Sequence, residues 1–364
     1  MQGVFQRVAN CRTVRQCDIN FTEAAHSCVL NLRLGSYLLL AVQLSHIDLS
    51  CPLFIPGNRA DMLGKADRYS PSAYVPDLED SVPASNKAEA REVTADALPV
   101  LCGLRKPVVP RVNSLRTGLT EDDLRAVVGP HVVAISIGKI SSSEDIEKVD
   151  EMVSELESDR GLGLGSIGIL PWLETARAIV NAFEICDASE RVRWVAFGAE
   201  DFSADMGVRR EIDAEGAGVG SVEEYGEASL LYARSAVAVA ARAADIEALD
   251  TPYVKFRDPD GLRREAGLAK RLGYGGKFAI HPAQIEPIGA VFSPSDHEIG
   301  RAKRVLEAAR LAELQGRGSV SLDGEMIDAP VVARAQNLLT KAGIVREDQN
   351  LTILNECTKE KRHE

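Results

Sequence analysis

From Pro52 onward, short apolar or β-branched runs alternate with stretches of helical periodicity, and the connections between them are brief. The runs predict strands at Leu53–Pro56, Ala73–Leu78, Val108–Val112, Val132–Ile137, Ile167–Trp172 and Arg193–Gly198, a weak one at Tyr253–Phe256, and a last one at Lys277–Ile280. Unbroken apolar runs of this length suit strands covered on both faces. Between them, Ser141 to Leu156 opens with two serines, each three residues ahead of an acid, and carries Ile146, Val149, Val153 and Leu156 at helical spacing. A second capping box, Ser221-Val-Glu-Glu224, starts an Ala-rich helix running toward Leu249. Eight strands separated by helices over this span predict an α/β fold, a (β/α)8 TIM barrel.

Beyond the last strand the pattern changes. A capping box, Ser295-Asp-His-Glu298, begins a helix to about Leu314; a Gly-rich turn, Gln315-Gly-Arg-Gly318, follows, and another helix ends near Ala342. The expected organisation is an atypical, poorly ordered N-terminal extension over residues 1–50, a barrel over 51–292, a C-terminal helical extension over 293–345, and a polar, disordered tail over 346–364.

Composition narrows the partners. A formal charge of −12 with no basic stripe argues against nucleic acid, so an anionic ligand must be held by a few local Arg and Lys residues. The seven cysteines are scattered with no C-x-x-C pair, which fits reduced thiols. Met1 to Cys17 carries Arg7, Arg12 and Arg15 and no acid, a composition like that of an organellar transit peptide. The apolar run Ser36 to Leu44 is too short to span a bilayer, so no membrane anchor is expected. The expected location is cytoplasmic, or mitochondrial if the Arg-containing leader is a transit peptide.

The chemistry centres on two strand ends. Ile167-Gly-Ile-Leu-Pro-Trp-Leu-Glu-Thr175 closes on Glu174, and Trp194-Val-Ala-Phe-Gly-Ala-Glu-Asp-Phe202 closes on Glu200 and Asp201. In parallel α/β folds the carboxyl ends of strands face one crevice, and carboxylates without His or Cys suit Mg²⁺ or Mn²⁺ rather than Zn²⁺. Either acid alone reads equally well as a helix N-terminal charge; as a pair in successive units they favour the cation site. Tyr74-Val-Pro-Asp-Leu-Glu-Asp80 packs three more acids at a strand end, and Arg111 in Pro110-Arg-Val-Asn113 is the natural compensator, with a planar fork able to bind a carboxylate or developing oxyanion. Leu53-Phe-Ile-Pro-Gly-Asn-Arg59, with Lys65 one to two turns on, offers amides and cations for a phosphate, or is an ordinary turn with a solvated Arg. Gly163-Leu-Gly-Ser-Ile-Gly168 formally matches the dinucleotide fingerprint but precedes a strand, which rules out that use. His281, in Ala279-Ile-His-Pro282, is a ligand, a base or a hydrogen-bonded structural residue.

Taken in order, Leu-Phe-Ile-Pro-Gly-Asn-Arg, Asp-Leu-Glu-Asp-Ser-Val, Pro-Arg-Val-Asn, Leu-Glu-Thr-Ala-Arg, Phe-Gly-Ala-Glu-Asp, Phe-Arg-Asp-Pro-Asp-Gly and Ala-Ile-His-Pro-Ala-Gln-Ile resemble the citrate lyase beta subunit family of the HpcH/HpaI aldolase superfamily, over about Pro52 to Ala342. The resemblance implies a Mg²⁺-dependent barrel, homotrimeric or hexameric, that makes or breaks a C–C bond between an acyl-CoA enolate and an α-keto acid. By motif it makes Glu174 and Asp201 metal ligands, Arg111 the stabiliser of the enolate or carbonyl oxygen, and Asp77 and Glu79 holders of the metal's waters. Phe54, Arg59, Lys65, Ile280 and His281 fall where similar proteins contact the CoA ester. Gly324-Glu-Met-Ile-Asp-Ala-Pro330 resembles the lid of stand-alone members, whose acid, here Asp328, is delivered to the site, commonly by a neighbouring subunit. The implied activity is lysis of a malyl-CoA or citramalyl-CoA type ester. Citryl cleavage as a lyase-complex subunit, thioester hydrolysis on the same site, a pyruvate aldolase acting on free acids, and a non-catalytic CoA-ester binding protein are the alternatives. Two departures from the family pattern stand out: Pro76 in the second strand, and Gly138-Lys139 where Pro-Lys is common.

Overall fold

The computed structural model describes residues 47–208 and 222–344, with the side chains of 222–228 outside that description. The expected leader, apart from residues 47–50, the tail 346–364 and the capping Ser221 lie outside the described residues.

Eight strands pair in parallel in chain order: β1 (Pro52–Pro56), β2 (Ala73–Asp77), β3 (Arg111–Val112), β4 (Ala134–Ile137), β5 (Gly168–Leu173), β6 (Trp194–Phe197), β7 (Glu247–Asp250) and β8 (Gly276–Lys277). The ring closes between last and first strand: the Phe54 amide donates to the Ala279 carbonyl at 2.9 Å, and the Ala279 amide to that of Pro52 at 2.8 Å. The fold is the expected (β/α)8 barrel. Its helices are α1 (Ala60–Leu63), α2 (Lys87–Gly103), α3 (Thr120–Val127), α4 (Ser143–Asp159), α5 (Ala176–Val180), α6 (Ala182–Cys186), α7 (Ala199–Asp205), α8 (Val222–Ala243), α9 (Pro259–Leu272) and α10 (Ile285–Phe292). None of the described helices is long and apolar enough to cross a membrane.

Strand alternation splits the core in two. Leu53, Ile55, Ile135, Ile137, Ile169, Val195 and Ala248 join one apolar cluster with helix residues such as Leu101, Leu124, Val149 and Val237. The residues between them point into the barrel. There Phe54, Trp172 and Phe278 form an aromatic group, with ring centroids 4.6 to 5.9 Å apart. The Trp172 indole donates to Ser136 Oγ at 2.7 Å, which satisfies the one polar atom this ring brings inside.

Four expectations are corrected. The seventh strand is Glu247–Asp250, and Tyr253–Phe256 lies in the loop after it. Helix α8 therefore stops at Ala243, short of Leu249. Asp245, at φ 56°, turns the chain so that Ala248 and Leu249 are buried between β6 and β8. Glu-Ala-Leu is good helix sequence; burial overrides it. The third strand keeps only Arg111 and Val112, joined to β2 by a bridge at Val108 and the Asp77–Arg111 pair. Pro76 lies between Tyr74 and Leu78, whose amides both donate to the third strand, and has no amide of its own to give, which interrupts that ladder; Pro110 accepts from Ser136 on the β4 side and lacks a donor there. Ser142 stands at the N-cap of α4 without a side-chain cap bond; instead the Ser141 amide and hydroxyl both donate to Asp145 Oδ2 at 3.0 Å.

The C-terminal extension comprises α11 (Asp296–Glu313), an antiparallel hairpin of β9 (Val320–Leu322) and β10 (Glu325–Ile327), and α12 (Ala329–Lys341). The Ser295–Glu298 capping box forms as read. Asp323 and Gly324, both left-handed, make the two-residue hairpin turn. Ala302, Val305, Ile327, Ala335 and Leu339 form a small core of its own.

Candidate active site

The carboxyl ends of β2 to β6 converge at one barrel mouth. The β2–β3 register sets Asp77 opposite Arg111, and the pair closes two-point: Nε to Oδ1 and Nη2 to Oδ2, both at 2.7 Å. Asp77 also accepts from the amides of Glu79 and Ser81, so all of its acceptor directions are taken. Arg111 Nη1 then lies 3.1 Å from Asp80 Oδ2 and 3.2 Å from Glu79 Oε2, and its guanidinium carbon sits 4.6 Å above the Phe54 ring. Burial works against the Arg111 charge, but Asp77, Glu79 and Asp80 outweigh it, so the side chain is a fixed cation. Burial likewise works against the Asp77 charge, and Arg111 holds that carboxyl below the usual range.

The fourth strand ends in Gly138-Lys139, and Lys139 has φ 58°, a left-handed conformation that costs a residue with a Cβ about 1–2 kcal/mol. The turn aims the Lys139 amide at Glu174 Oε1, 2.6 Å away, while Nζ donates to Glu79 Oε1 at 2.8 Å. The same ammonium is 3.6 Å from Asp80 Oδ1 and 3.8 Å from Asp201 Oδ1. A Cβ on Gly138 would meet Glu174 Oε1 at 2.8 Å, and one on Gly198 would meet Glu174 Oε2 at 2.4 Å. Two glycines thus give Glu174 its place.

The cluster carries more acid than its cations balance. Glu174 is 3% exposed, and burial, then Asp201 and Glu79, push its carboxyl up to about 8 against the pull of Lys139. Glu79 is also raised, by burial first and by Asp80, despite Arg111 and Lys139. Its buried Oε2, though within ion-pair distance of Arg111, receives no hydrogen bond. An orphaned oxygen and a carboxyl that holds its proton fit a missing cation. Among the described residues no group of three His, Cys, Asp or Glu side chains has the geometry to hold a metal. Two carboxylates alone suit an ion that keeps water or substrate oxygens in most of its positions, as Mg²⁺ does.

The other sequence candidates lie apart from this cluster. Arg59 forms an exposed pair with Asp61 at 2.8 Å, and Lys65 lies 4.0 Å from the same acid. His281 caps the turn after β8, Nδ1 accepting from the Ala283 amide at 3.1 Å, and its ring stacks on Phe256 at 5.0 Å; Ile280 beside it is exposed. Asp328 caps α12, accepting from the Val331 amide at 3.3 Å; among the described residues it makes no hydrogen bond to the mouth. Reading the sequence singled out neither Lys139, Trp172 nor Phe278 as site residues. The Lys139 signal was the small-basic pair directly after a strand.

Comparison with known proteins places this geometry. The HpcH/HpaI aldolase/citrate lyase family model matches residues 51–282, and the chain belongs to that family. Citrate lyase subunit beta from Haemophilus influenzae is 38% identical over 290 residues, 80% of this chain and 95% of the relative. A citramalyl-CoA lyase, mitochondrial, from Rattus norvegicus is 30% identical over 306 residues, 81% of this chain and 86% of the relative. Among solved structures, CitE from Mycobacterium tuberculosis in complex with magnesium, acetoacetate and coenzyme A aligns with a TM-score of 0.63 at 29% identity, covering 81% of this chain and 98% of that one.

Proposed function

We propose that this chain is a Mg²⁺-dependent carbon–carbon lyase that cleaves a 3-hydroxyacyl-CoA of the malyl-CoA or citramalyl-CoA type into an acyl-CoA and an α-keto acid. The observation that carries the reading is the crowding of Glu174, Asp201 and Glu79 at the mouth beside a fixed Arg111, in a fold whose relative binds magnesium, a keto acid and coenzyme A together. Glu174 and Asp201 hold the ion; Mn²⁺ suits the same oxygens. When bound, the ion supplies a Lewis acid for the hydroxyl and carboxylate oxygens of the departing keto acid. Asp77 fixes the Arg111 plane, and Arg111 offers its donors to the thioester oxygen as enolate charge develops there. Glu79, with its orphaned oxygen, would line the ion's outer sphere, whereas Asp77, its acceptor directions already taken, acts through Arg111. Phe54 closes the apolar floor beneath Arg111, and Arg59, Lys65, Ile280 and His281 line the approach for the CoA ester. Asp328, supplied by a neighbouring subunit of a homotrimer or hexamer, moves the proton at the enolate carbon.

Citryl-CoA belongs among the candidate substrates because the 38% identical relative is a citrate lyase subunit beta. The expected location is the cytoplasm; the Arg-containing leader and the mitochondrial rat relative support mitochondria as the alternative. The test is keto-acid release from malyl-CoA, β-methylmalyl-CoA, citramalyl-CoA and citryl-CoA with Mg²⁺, repeated with EDTA and with Asp201→Ala. Release abolished by both establishes the lyase and names the ester. No turnover of any ester while CoA still binds overturns it in favour of a binding protein.

A further inference from the structure

We propose that Lys139 is a positioning residue that divides the charge of the acid cluster between a divalent cation and an anionic substrate. The inference rests on the lyase reading of the same site. Lys139 acts on the cluster in two ways at once: its left-handed backbone orients Glu174 through the amide, and its ammonium reaches back to Glu79 with Asp80 and Asp201 close by. The turn is closed around these carboxylates, since a Cβ on Gly138 would meet both Glu174 and Glu79. The second cation, Arg111, is held by both of its Asp77 bonds and packed on Phe54, so its position is fixed by the fold. Lys139 has a single hydrogen-bonded carboxylate and a partly open side chain, which leaves its charge free to respond to what enters.

The charge count gives the inference its sign. Among the described residues Asp77, Glu79, Asp80, Glu174 and Asp201 pair with Arg111 and Lys139, and Lys87, bound to the Leu78 and Glu79 carbonyls, acts on three of them from behind, so five acids stand against three cations. An ammonium here repels a divalent ion and attracts a keto-acid carboxylate. Removing it therefore strengthens Mg²⁺ binding and weakens keto-acid binding, whereas loss of a merely structural residue weakens both.

The experiment is calorimetric titration of the metal-free full chain with Mg²⁺ alone, then with pyruvate in saturating Mg²⁺, for wild type, Lys139→Met, Lys139→Gln and Lys139→Arg. Titrations in buffers of differing ionisation enthalpy separate the ion's own affinity from any proton it displaces in each variant. Lys139→Met and Lys139→Gln should bind Mg²⁺ about tenfold more tightly and pyruvate about tenfold less tightly, with Lys139→Arg near wild type on both. Mg²⁺ affinity unchanged or weaker in the neutral variants overturns the proposal. So does failure of both to fold, judged by thermal unfolding of the metal-free protein, which would make Lys139 a counter-ion for the fold. A wild type that takes up no Mg²⁺, with or without pyruvate, overturns the lyase reading and this inference with it.

Discussion

The proton on Glu174 gives the sharpest handle on the site. Its carboxyl is pushed from an ordinary 4.5 up to about 8, by burial first and then by Asp201 and Glu79. Near neutrality the metal-free protein therefore holds a proton that an incoming cation must expel. The folded state binds more protons than the unfolded one between these two values. The metal-free protein is thus most stable below about 4.5 as far as this group is concerned, loses stability as pH rises through that window, and levels off above about 8. Mg²⁺ binding runs the other way. Well below about 8 each pH unit costs it about tenfold in apparent affinity, and between pH 6 and 8 the change is about fiftyfold, or about 2.3 kcal/mol.

The assay is Mg²⁺ titration calorimetry from pH 6 to 9 in buffers of differing ionisation enthalpy, which counts the protons released. About one proton should leave per ion at pH 6.5 and almost none at pH 9. Glu174→Gln should flatten the profile while weakening binding at high pH. A wild-type affinity constant across pH 6 to 8, with no proton released, refutes the reasoning, because it means that Glu174 is already ionised or is not a ligand.

Three further outcomes follow from the geometry. Gly198→Ala sets a Cβ 2.4 Å from Glu174 Oε2, so it should lower Mg²⁺ affinity and kcat/KM by at least about tenfold, read by calorimetry and steady-state assay. Arg111→Lys loses the two-point clamp on Asp77 and should drop kcat by about 10²–10³ while Mg²⁺ affinity stays within about threefold, a split that kinetics and calorimetry resolve together. Lys277→Met strands Asp250 and Glu265 in the core, so urea unfolding should show a loss of about 3–5 kcal/mol, and a loss under about 1 kcal/mol would contradict the network described below.

The barrel was legible because strands buried on both faces are continuous apolar runs, and the order of elements leaves few alternatives. What was not legible depended on tertiary context. The Glu247–Asp250 strand is written in helix-forming residues and becomes a strand only because β6 and β8 bury it. The shortening of β3 follows from Pro76, which has no amide for the third strand, and Pro110, which has none for β4, a placement that the sequence does not show. At the mouth, Glu174, Asp201, Asp77, Glu79 and Arg111 could be read because they end strands. Lys139 could not be weighed, since its role depends on a left-handed turn that no periodicity reveals. Asp328 was read from motif alone, and a single chain holds it at the start of α12.

A second ion cluster in the same chain shows what separates an ionic group that holds a fold from one that awaits a ligand. Between the barrel and helices α8 and α9, Lys277 donates to Asp250, Glu265 and the Thr251 carbonyl at 2.6 to 2.7 Å, and Arg234 donates to Asp250 at 3.0 Å and pairs with Glu265 at 2.9 Å. Two acids meet two cations in almost complete burial, and only Arg234 Nη1 lacks a partner. Balanced and desolvated, that network leaves nothing for a further ion to add. The mouth has the same residue types with the balance broken: Asp77 and Arg111 satisfy each other, while Glu79 keeps an orphaned oxygen and Glu174 keeps its proton. The imbalance lies where Glu79 after β2, Lys139 after β4 and Glu174 after β5 meet, and that is the ground for proposing the cation there.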